Sequence, residues 1–422
     1  MTMRRSTRAL GILIVGFCLA TACSRGPATR SDASGSLSLV VNEMENPAQS
    51  SSAFPNLTTA ADGSTVLSWL EPSGDREQVL RFAVRRGENW SETRPVTVNR
   101  SFNKHPAVLP AVMKLTETAF VSYWTQVRPA GAHAEDVYAT ASRDGGKSWT
   151  EPLIVHRDRS ESEHSLVSMA AMGPDRVAIA WLDGREEASS KRSMLMETTF
   201  DLNGVASPES ILDPDVCSCC PTSIERTASG LLVAYRDRHQ TEQGDIRDIS
   251  ILRFESGRWS EPSRLNRDGW RLDGCPTNGV DVAADRSRIA VAWFTAANGP
   301  ARVKLAFSND GGGTFTAPQQ VDTGLPVGRA SIALLSNGVA VIAWVERQDS
   351  RLNLMVRGMT PDGQASPAVV VASDTGEGLG YPRIEAAGDR ALAAWVSTRG
   401  AKKVHTALVS VKGPADLARH QE

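Results

Sequence analysis

Four cysteines sit in two short segments of this 422-residue chain, Cys217-Ser218-Cys219-Cys220-Pro221-Thr222 and Gly274-Cys275-Pro276-Thr277-Asn278. The shared Cys-Pro-Thr places both segments at matching points of neighbouring repeats. In an oxidising compartment, four cysteines this close pair as disulfides; three pairings are open, and the vicinal Cys219–Cys220 bridge is the most strained. Thiolates are also soft-metal ligands, and with His105 and His164 they could hold copper or zinc. Cys-x-Cys-Cys is not a standard zinc spacing, and no other cofactor is indicated.

A second concentration is charged. Trp181-Leu182-Asp183-Gly184-Arg185, Tyr235-Arg236-Asp237-Arg238 and Asp245-Ile246-Arg247-Asp248 fall on neighbouring loops beside the cysteines. Arg185, Arg236 and Arg247 could grip a carboxylate with paired N–H bonds. Asp183 and Asp237 could do acid–base work on a glycoside. The competing reading is a set of ion pairs that brace long loops. Trp270, in Asp268-Gly269-Trp270-Arg271-Leu272-Asp273, suits either a sugar-stacking ring or a packing anchor.

These loops must hang on a repeat. Small and large apolar residues alternate up to an aromatic seven times, ending at Trp69, Trp124, Trp181, Tyr235, Trp293, Trp344 and Trp395, at spacings of 51 to 58 residues. Period-two alternation is a strand signal, and self-similarity at this period means a solenoid or propeller. Each repeat carries a shorter strand before the aromatic one, then a third and an outer fourth. The chain therefore reads as all-β, one β-propeller of four-stranded antiparallel blades, with seven blades favoured and six open. The last repeat lacks an outer strand, and Leu37-Ser38-Leu39-Val40-Val41 is placed to supply it and close the ring. Positions leaving strand two (Glu71, Gln126, Asp183, Asp237, Thr295, Glu346, Ser397) share one face with positions entering strand one. The latter align as Phe54, His105, His164, Cys220, Cys275, Gly328 and Tyr381.

Two turns between third and fourth strands carry a further pattern, Ser142-Arg143-Asp144-Gly145-Gly146-Lys147-Ser148-Trp149 and Ser308-Asn309-Asp310-Gly311-Gly312-Gly313-Thr314-Phe315. They resemble Asp boxes, in which the aspartate (Asp144, Asp310) accepts backbone N–H bonds across the hairpin and glycines supply positive φ. Over residues 36 to 411 the chain is similar to the sialidase/Asp-box (BNR-repeat) superfamily. That resemblance implies an exo-sialidase, with three arginines on the substrate carboxylate, a Tyr–Glu nucleophile pair and an Asp acid/base. Tyr381, followed by Pro382-Arg383-Ile384, is the well-placed tyrosine, and Arg383 a carboxylate-binding candidate. Ala53-Phe54-Pro55-Asn56-Leu57 lacks the arginine that family carries early in the chain, and sialidases have six blades.

Residues 1–22 read as a secretory signal: Arg4, Arg5 and Arg8 precede an apolar run, Leu10 to Leu19, too short to span a bilayer. Leu19-Ala20-Thr21-Ala22-Cys23 resembles a lipobox, with Cys23 as the acylated residue, 23–35 a tether, 36–411 the propeller and 412–422 a polar tail. The expectation is a cell-envelope, outer-membrane lipoprotein held to the membrane by its lipid; periplasmic secretion is the alternative. Formal charge is −2, and no basic patch points to nucleic acid. The expected function is binding of a carbohydrate, peptide, envelope protein or metal on the face of the Cys217–Cys220 and Cys275 loops. A sialidase-type glycoside hydrolase is the alternative.

Overall fold

The apolar runs before each aromatic form the second strand of a repeat: Thr65–Pro72, Phe120–Val127, Arg176–Asp183, Gly230–Arg236, Arg288–Thr295, Ala340–Gln348 and Arg390–Ser397. They are buried on both faces, because each is covered by the blades on either side. The computed structural model describes residues 37–129, 134–375, 378–398 and 402–413; the expected signal, Cys23 and tether lie outside them. Seven antiparallel sheets form the blades of one propeller. The inner strands, from Ala53–Thr59 in blade one to Arg383–Ala387 in blade seven, line a channel of about 800 Å³. Helix is confined to Glu187–Ser190 among the described residues, and none there is long and apolar enough to cross a membrane.

Blade seven is completed from the far end of the chain. Ser38–Met44 pairs antiparallel with Lys403–Lys412, from Ser38 opposite Lys412 to Met44 opposite Thr406. The closing strand thus runs past Val41, where the sequence pattern placed its end. In blade three the outer strand is Ser210–Val216, and a Phe200–Ala206 bridge closes the hairpin before it.

Each junction between blades holds its own apolar cluster. Trp181 joins Tyr123 and Val137 between blades two and three, and Trp344 joins Ala290 and Leu305 between five and six. Trp69 and Leu57 meet Leu392 and Leu408 across the closing seam between blades seven and one. Trp69, Trp124, Trp181, Trp293 and Trp344 are among the largest fully buried side chains. Truncating one such indole to alanine costs about 3–5 kcal/mol.

On the far face, the third-to-fourth turns close through their aspartates. Asp144 Oδ1 accepts the Ser148 N–H (3.0 Å) and Asp310 Oδ1 the Thr314 N–H (2.9 Å). Bonds from Ser148, and from the Thr314 amide, hold both carboxyls well below the usual range. Gly146, at φ 81°, has no room for a Cβ, which would meet the Phe82 ring at 2.5 Å. These turns bond to the turns between strands one and two (Gly145 N to Thr118 O, 2.8 Å), so they lie opposite the channel mouth where strand one begins.

Inside the channel Asp281 gathers donors from neighbouring blades: Ser223 Oγ at 3.0 Å and Ser331 Oγ at 2.7 Å, with Arg383 Nη1 at 3.5 Å. Glu225, further along the inner strand of blade four, is pushed up to about 8 by burial and by the Asp281 charge. The folded state therefore holds a proton that an ordinary, solvated glutamate releases near 4.5. Stability contributed by that proton is full below the unfolded value and is lost as pH rises towards the folded one. Glu225→Gln should flatten the fall in Tm between about pH 5 and 8 and melt above wild type at pH 8; parallel profiles would count against a proton held at Glu225.

Candidate functional site

Strand pairing fixes which residues ring the mouth. Opposite the residue preceding each strand-two aromatic stand Asn56, Ala111, Ser168, Ser223, Asp281, Ser331 and Arg383. The ring one step nearer the mouth, two residues earlier, is Phe54, Leu109, Leu166, Pro221, Gly279, Arg329 and Tyr381. The sequence alignment of that ring is corrected accordingly: His105, His164, Cys220, Cys275 and Gly328 all lie upstream of it, displaced by loops and bulges of unequal length. Phe54 (φ 55°), Leu166 (φ 54°) and Arg329 (φ 55°) adopt left-handed backbone where the ladder slips register. Each such residue costs about 1–3 kcal/mol, and β-bulges of this kind re-aim side chains next to functional sites.

The cysteines do converge. Cys219 is bonded to Cys275, while Cys217 and Cys220 are free, buried thiols. Cys217 Sγ lies 3.8 Å from both Cys219 and Cys220. The Cys220 contact, followed by the Cys219 amide and the charges of Arg247 and Arg236, holds the Cys217 thiol down, to about 6, whereas burial pushes Cys220 up. In this state Cys219 and Cys275 have no thiolate to offer a metal, and His105 and His164 stand on other blades.

Arg236 is 1% exposed and spends its guanidinium on three carbonyls: Asn278 (2.8 Å), Arg247 (2.6 Å) and Phe294 (2.7 Å). It thereby clamps the Cys275 loop to blades four and five. Trp270 lies beneath it, 4.8 Å from ring centroid to guanidinium, with Phe294 edge-on at 5.6 Å. The ring is buried, so the packing-anchor reading holds and the sugar-stacking one is corrected. Arg247 pairs with Asp245 at 3.4 Å, and Arg185 with Asp183 (2.6 Å) and Glu209 (2.7 Å). Asp237 is buried and accepts from Ser250 Oγ at 2.6 Å. The arginine–aspartate concentration is thus consumed by internal pairs, not presented to a ligand.

Asp183 also shows why the ring leaving strand two is polar. Trp181 Nε1 donates to Asp183 Oδ2 (3.0 Å), Trp69 Nε1 to Glu71 (2.9 Å) and Trp344 Nε1 to Glu346 (2.9 Å). Residues two apart on a strand share a face, so a carboxylate two past a buried tryptophan caps its indole N–H. That spacing was visible in the sequence; its meaning was not. Asp183 is fully buried and its place is structural, which corrects the acid–base reading.

A cluster absent from the sequence reading lies between blades two and three. His156, just after the outer strand Leu153–Ile154, stacks flat on His164 with centroids 3.7 Å apart. Asp136, Asp158 and Asp183 face the two rings, with His156 Nε2 3.3 Å from Asp136 Oδ1 and His164 Nε2 3.2 Å from Asp158 Oδ2. Only the pairing of blades brings these residues together, so no local spacing announced them.

At the mouth, Tyr381 Oη donates to the Thr277 carbonyl (2.5 Å), two residues past the disulfide-bonded Cys275. Arg329 lies over the Tyr381 ring, 5.2 Å from its centroid, and donates to the Gly380 carbonyl at 2.9 Å. Burial, then the Arg329 charge, lowers the affinity of His105 for a proton. A cleft of about 300 Å³ opens beside Tyr381, lined among others by Phe54, Lys104, Leu109, Val396 and Lys402; its described lining contains no carboxylate. Lys402 sits 5.3 Å from the Phe54 ring centroid. Arg383 lies in the channel with Asp281 and Glu385, one layer below Tyr381.

No protein-family model matches the chain, and no curated protein sequence does. Solved structures do share the fold. A polysaccharide lyase of the PL25 type, an ulvan lyase, superposes with TM-score 0.57 at 13% identity over 89% of this chain and 99% of its own. The same lyase bound to -[GlcA(1-4)Rha3S]- gives 0.55, with the same identity of 13% and the same coverage of 89% and 99%. The NanB sialidase from Streptococcus pneumoniae gives 0.44 at 9% identity over 91% of this chain and 96% of its own. The two lyase likenesses show a shared propeller fold, and at this identity they show the fold alone.

Peptide mapping of the unreduced protein should recover a Cys219–Cys275 linked peptide, with Cys217 and Cys220 alkylated only after denaturation. A Cys217–Cys220 bridge, or four alkylated cysteines, would contradict this arrangement.

Proposed function

We propose that the protein is an exported, lipid-anchored propeller that binds an acidic saccharide in the cleft beside Tyr381. The observation that carries this reading is the cleft wall, where Lys104 and Lys402 stand with the rings of Phe54 and Tyr381 and no described carboxylate. Aromatic rings pack against the apolar face of a pyranose, and cations bind its carboxylate or sulfate through charge-assisted hydrogen bonds. A cleft of about 300 Å³ suits one or two sugar rings. The shared fold adds support, since the ulvan lyase complex holds a uronate joined to a sulfated sugar. Binding is favoured over sialidase chemistry because Arg185, Arg236 and Arg247 are engaged elsewhere and Arg383 lies deeper, with Asp281.

Calorimetric titration with ulvan, polygalacturonate and sialyllactose oligosaccharides tests this. At least one should bind, more weakly as salt is raised, and the Lys104→Ala/Lys402→Ala double variant should lose about tenfold or more in affinity, since a hydrogen bond to a charged group is worth roughly 1.5–3 kcal/mol. Absence of binding to all three, or a double variant that binds as wild type does, would contradict the reading. Release of free sialate or of an unsaturated uronate during the same titrations would add catalysis to it.

A further inference from the structure

The two cysteines that remain thiols stand directly behind the two that are bonded. Cys217 follows the outer strand of blade three, Ser210–Val216, and its amide donates to the Arg236 carbonyl at the end of strand two of blade four (3.1 Å). Three residues on, Cys220 opens the run into that blade's inner strand, Ser223–Arg226. Cys217-Ser218-Cys219-Cys220 thus holds a Cys-x-x-Cys pair, the spacing of dithiols that form and break a bridge reversibly, with Cys219 set inside it. The bonded loop is fixed against this segment: a Cβ on Gly279 would sit 2.2 Å from the Pro221 carbonyl oxygen. Cys217 Sγ lies 3.8 Å from Cys219 Sγ and 3.8 Å from Cys220 Sγ, and the three sulfurs all fall within 4.8 Å of one another.

Thiol–disulfide exchange needs a thiolate within reach of one sulfur of the bridge and a leaving thiolate at the other. Both halves of that requirement are built here. Contact with Cys220, then the Cys219 amide and the charges of Arg247 and Arg236, favours the thiolate at Cys217. Cys217 is buried and Cys275 exposed, so attack on Cys219 comes from the interior and the departing sulfur moves towards solvent. Cys275 Sγ also lies 3.2 Å from Thr277 Oγ1, whose hydroxyl can donate to the thiolate as it leaves. Cys220 is buried too, its sulfur against Cys217, which is the placement of a resolving thiol.

We propose that Cys217 and Cys220 form an internal exchange dithiol that draws the disulfide inward from Cys219–Cys275. The Cys217 thiolate attacks Cys219 Sγ; the Cys217–Cys219 bond forms as the Cys219–Cys275 bond breaks, and the electron pair leaves on Cys275 Sγ. Cys220 then attacks Cys217 Sγ, its proton passing to the Cys219 thiolate that is expelled. One disulfide and two thiols become one disulfide and two thiols, so no outside oxidant or reductant is consumed. The exposed loop gains a free Cys275, and the covalent tie beside the Thr277 carbonyl that receives the Tyr381 hydroxyl is released.

Trapping the leaving sulfur tests this. The unreduced full chain is held at neutral pH with excess N-ethylmaleimide, quenched in acid at intervals and peptide-mapped. Quenching at the outset should recover the Cys219–Cys275 peptide. With time, label should appear at Cys275 and then Cys219, as a Cys217–Cys220 bridge replaces the original. Cys217→Ser should slow labelling of Cys275 by about tenfold or more, and Cys220→Ser should stop at a Cys217–Cys219 bridge with Cys275 alone labelled. Far-ultraviolet circular dichroism checks folding, and Cys217→Ala replaces a Cys217→Ser variant that fails it. Persistence of the original bridge with Cys275 unlabelled, labelling of Cys275 as fast in the Cys217 variants as in wild type, or label on Cys217 while Cys219–Cys275 persists would each overturn the proposal.

Discussion

The ladder between residues 38–44 and 403–412 is the constraint on which the rest of the molecule depends. Without it blade seven would be three-stranded, with an open edge, and the apolar cluster joining Trp69 to Leu392 and Leu408 would face water. An open sheet edge is also a template for pairing with other chains, and closing the ring protects it. The seam is fastened a second time at the mouth. Ser51 N donates to the Lys402 carbonyl (2.7 Å) and Val404 N to Ser52 Oγ (3.0 Å). The cleft proposed for the saccharide lies over this seam, with Phe54 from blade one, Lys402 from blade seven and Lys104 from the loop into blade two. Closing the chain on itself and building the cleft are one structural event.

Behind the cleft stands a chain of fixed contacts. The Cys219–Cys275 bond ties the loops of blades four and five, Arg236 anchors the Asn278 carbonyl, and the Thr277 carbonyl between them receives the Tyr381 hydroxyl. Asn278 extends the chain to blade six by accepting the Arg329 N–H at 2.8 Å, an approach so close that a Cβ on Gly328 would sit 2.1 Å from its Oδ1. The unusual cysteine, arginine and tryptophan segments thus form the support of the mouth rather than its contact surface. A rigid support is what a binding site needs to hold its contacts in place.

The repeat, the seven blades and the closing strand were legible because each rests on local alternation and on a count along the chain. The cysteine loops were legible as neighbours because Cys-Pro-Thr recurs. What failed was alignment at the starts of the inner strands, where bulges at Phe54, Leu166 and Arg329 and unequal loops before Leu109 and Gly279 break the spacing. Asp183 looked like a candidate for chemistry because a carboxylate beside a conspicuous aromatic invites that reading; two residues along a strand is also the reach of an indole N–H to its acceptor. Lys104, Lys402 and His156 carried no signal at all, since each acquires its meaning from a blade that is distant in sequence.

Hydrogen–deuterium exchange of the protein with and without a saturating acidic oligosaccharide tests the placement of the site most directly. The account predicts slowed exchange confined to the segments around Phe54, Lys104 to Leu109, Leu379 to Tyr381 and Lys402. Protection at the opposite end of the channel, around Ala228 and Asp285 to Arg286, with the seam unchanged, would contradict it.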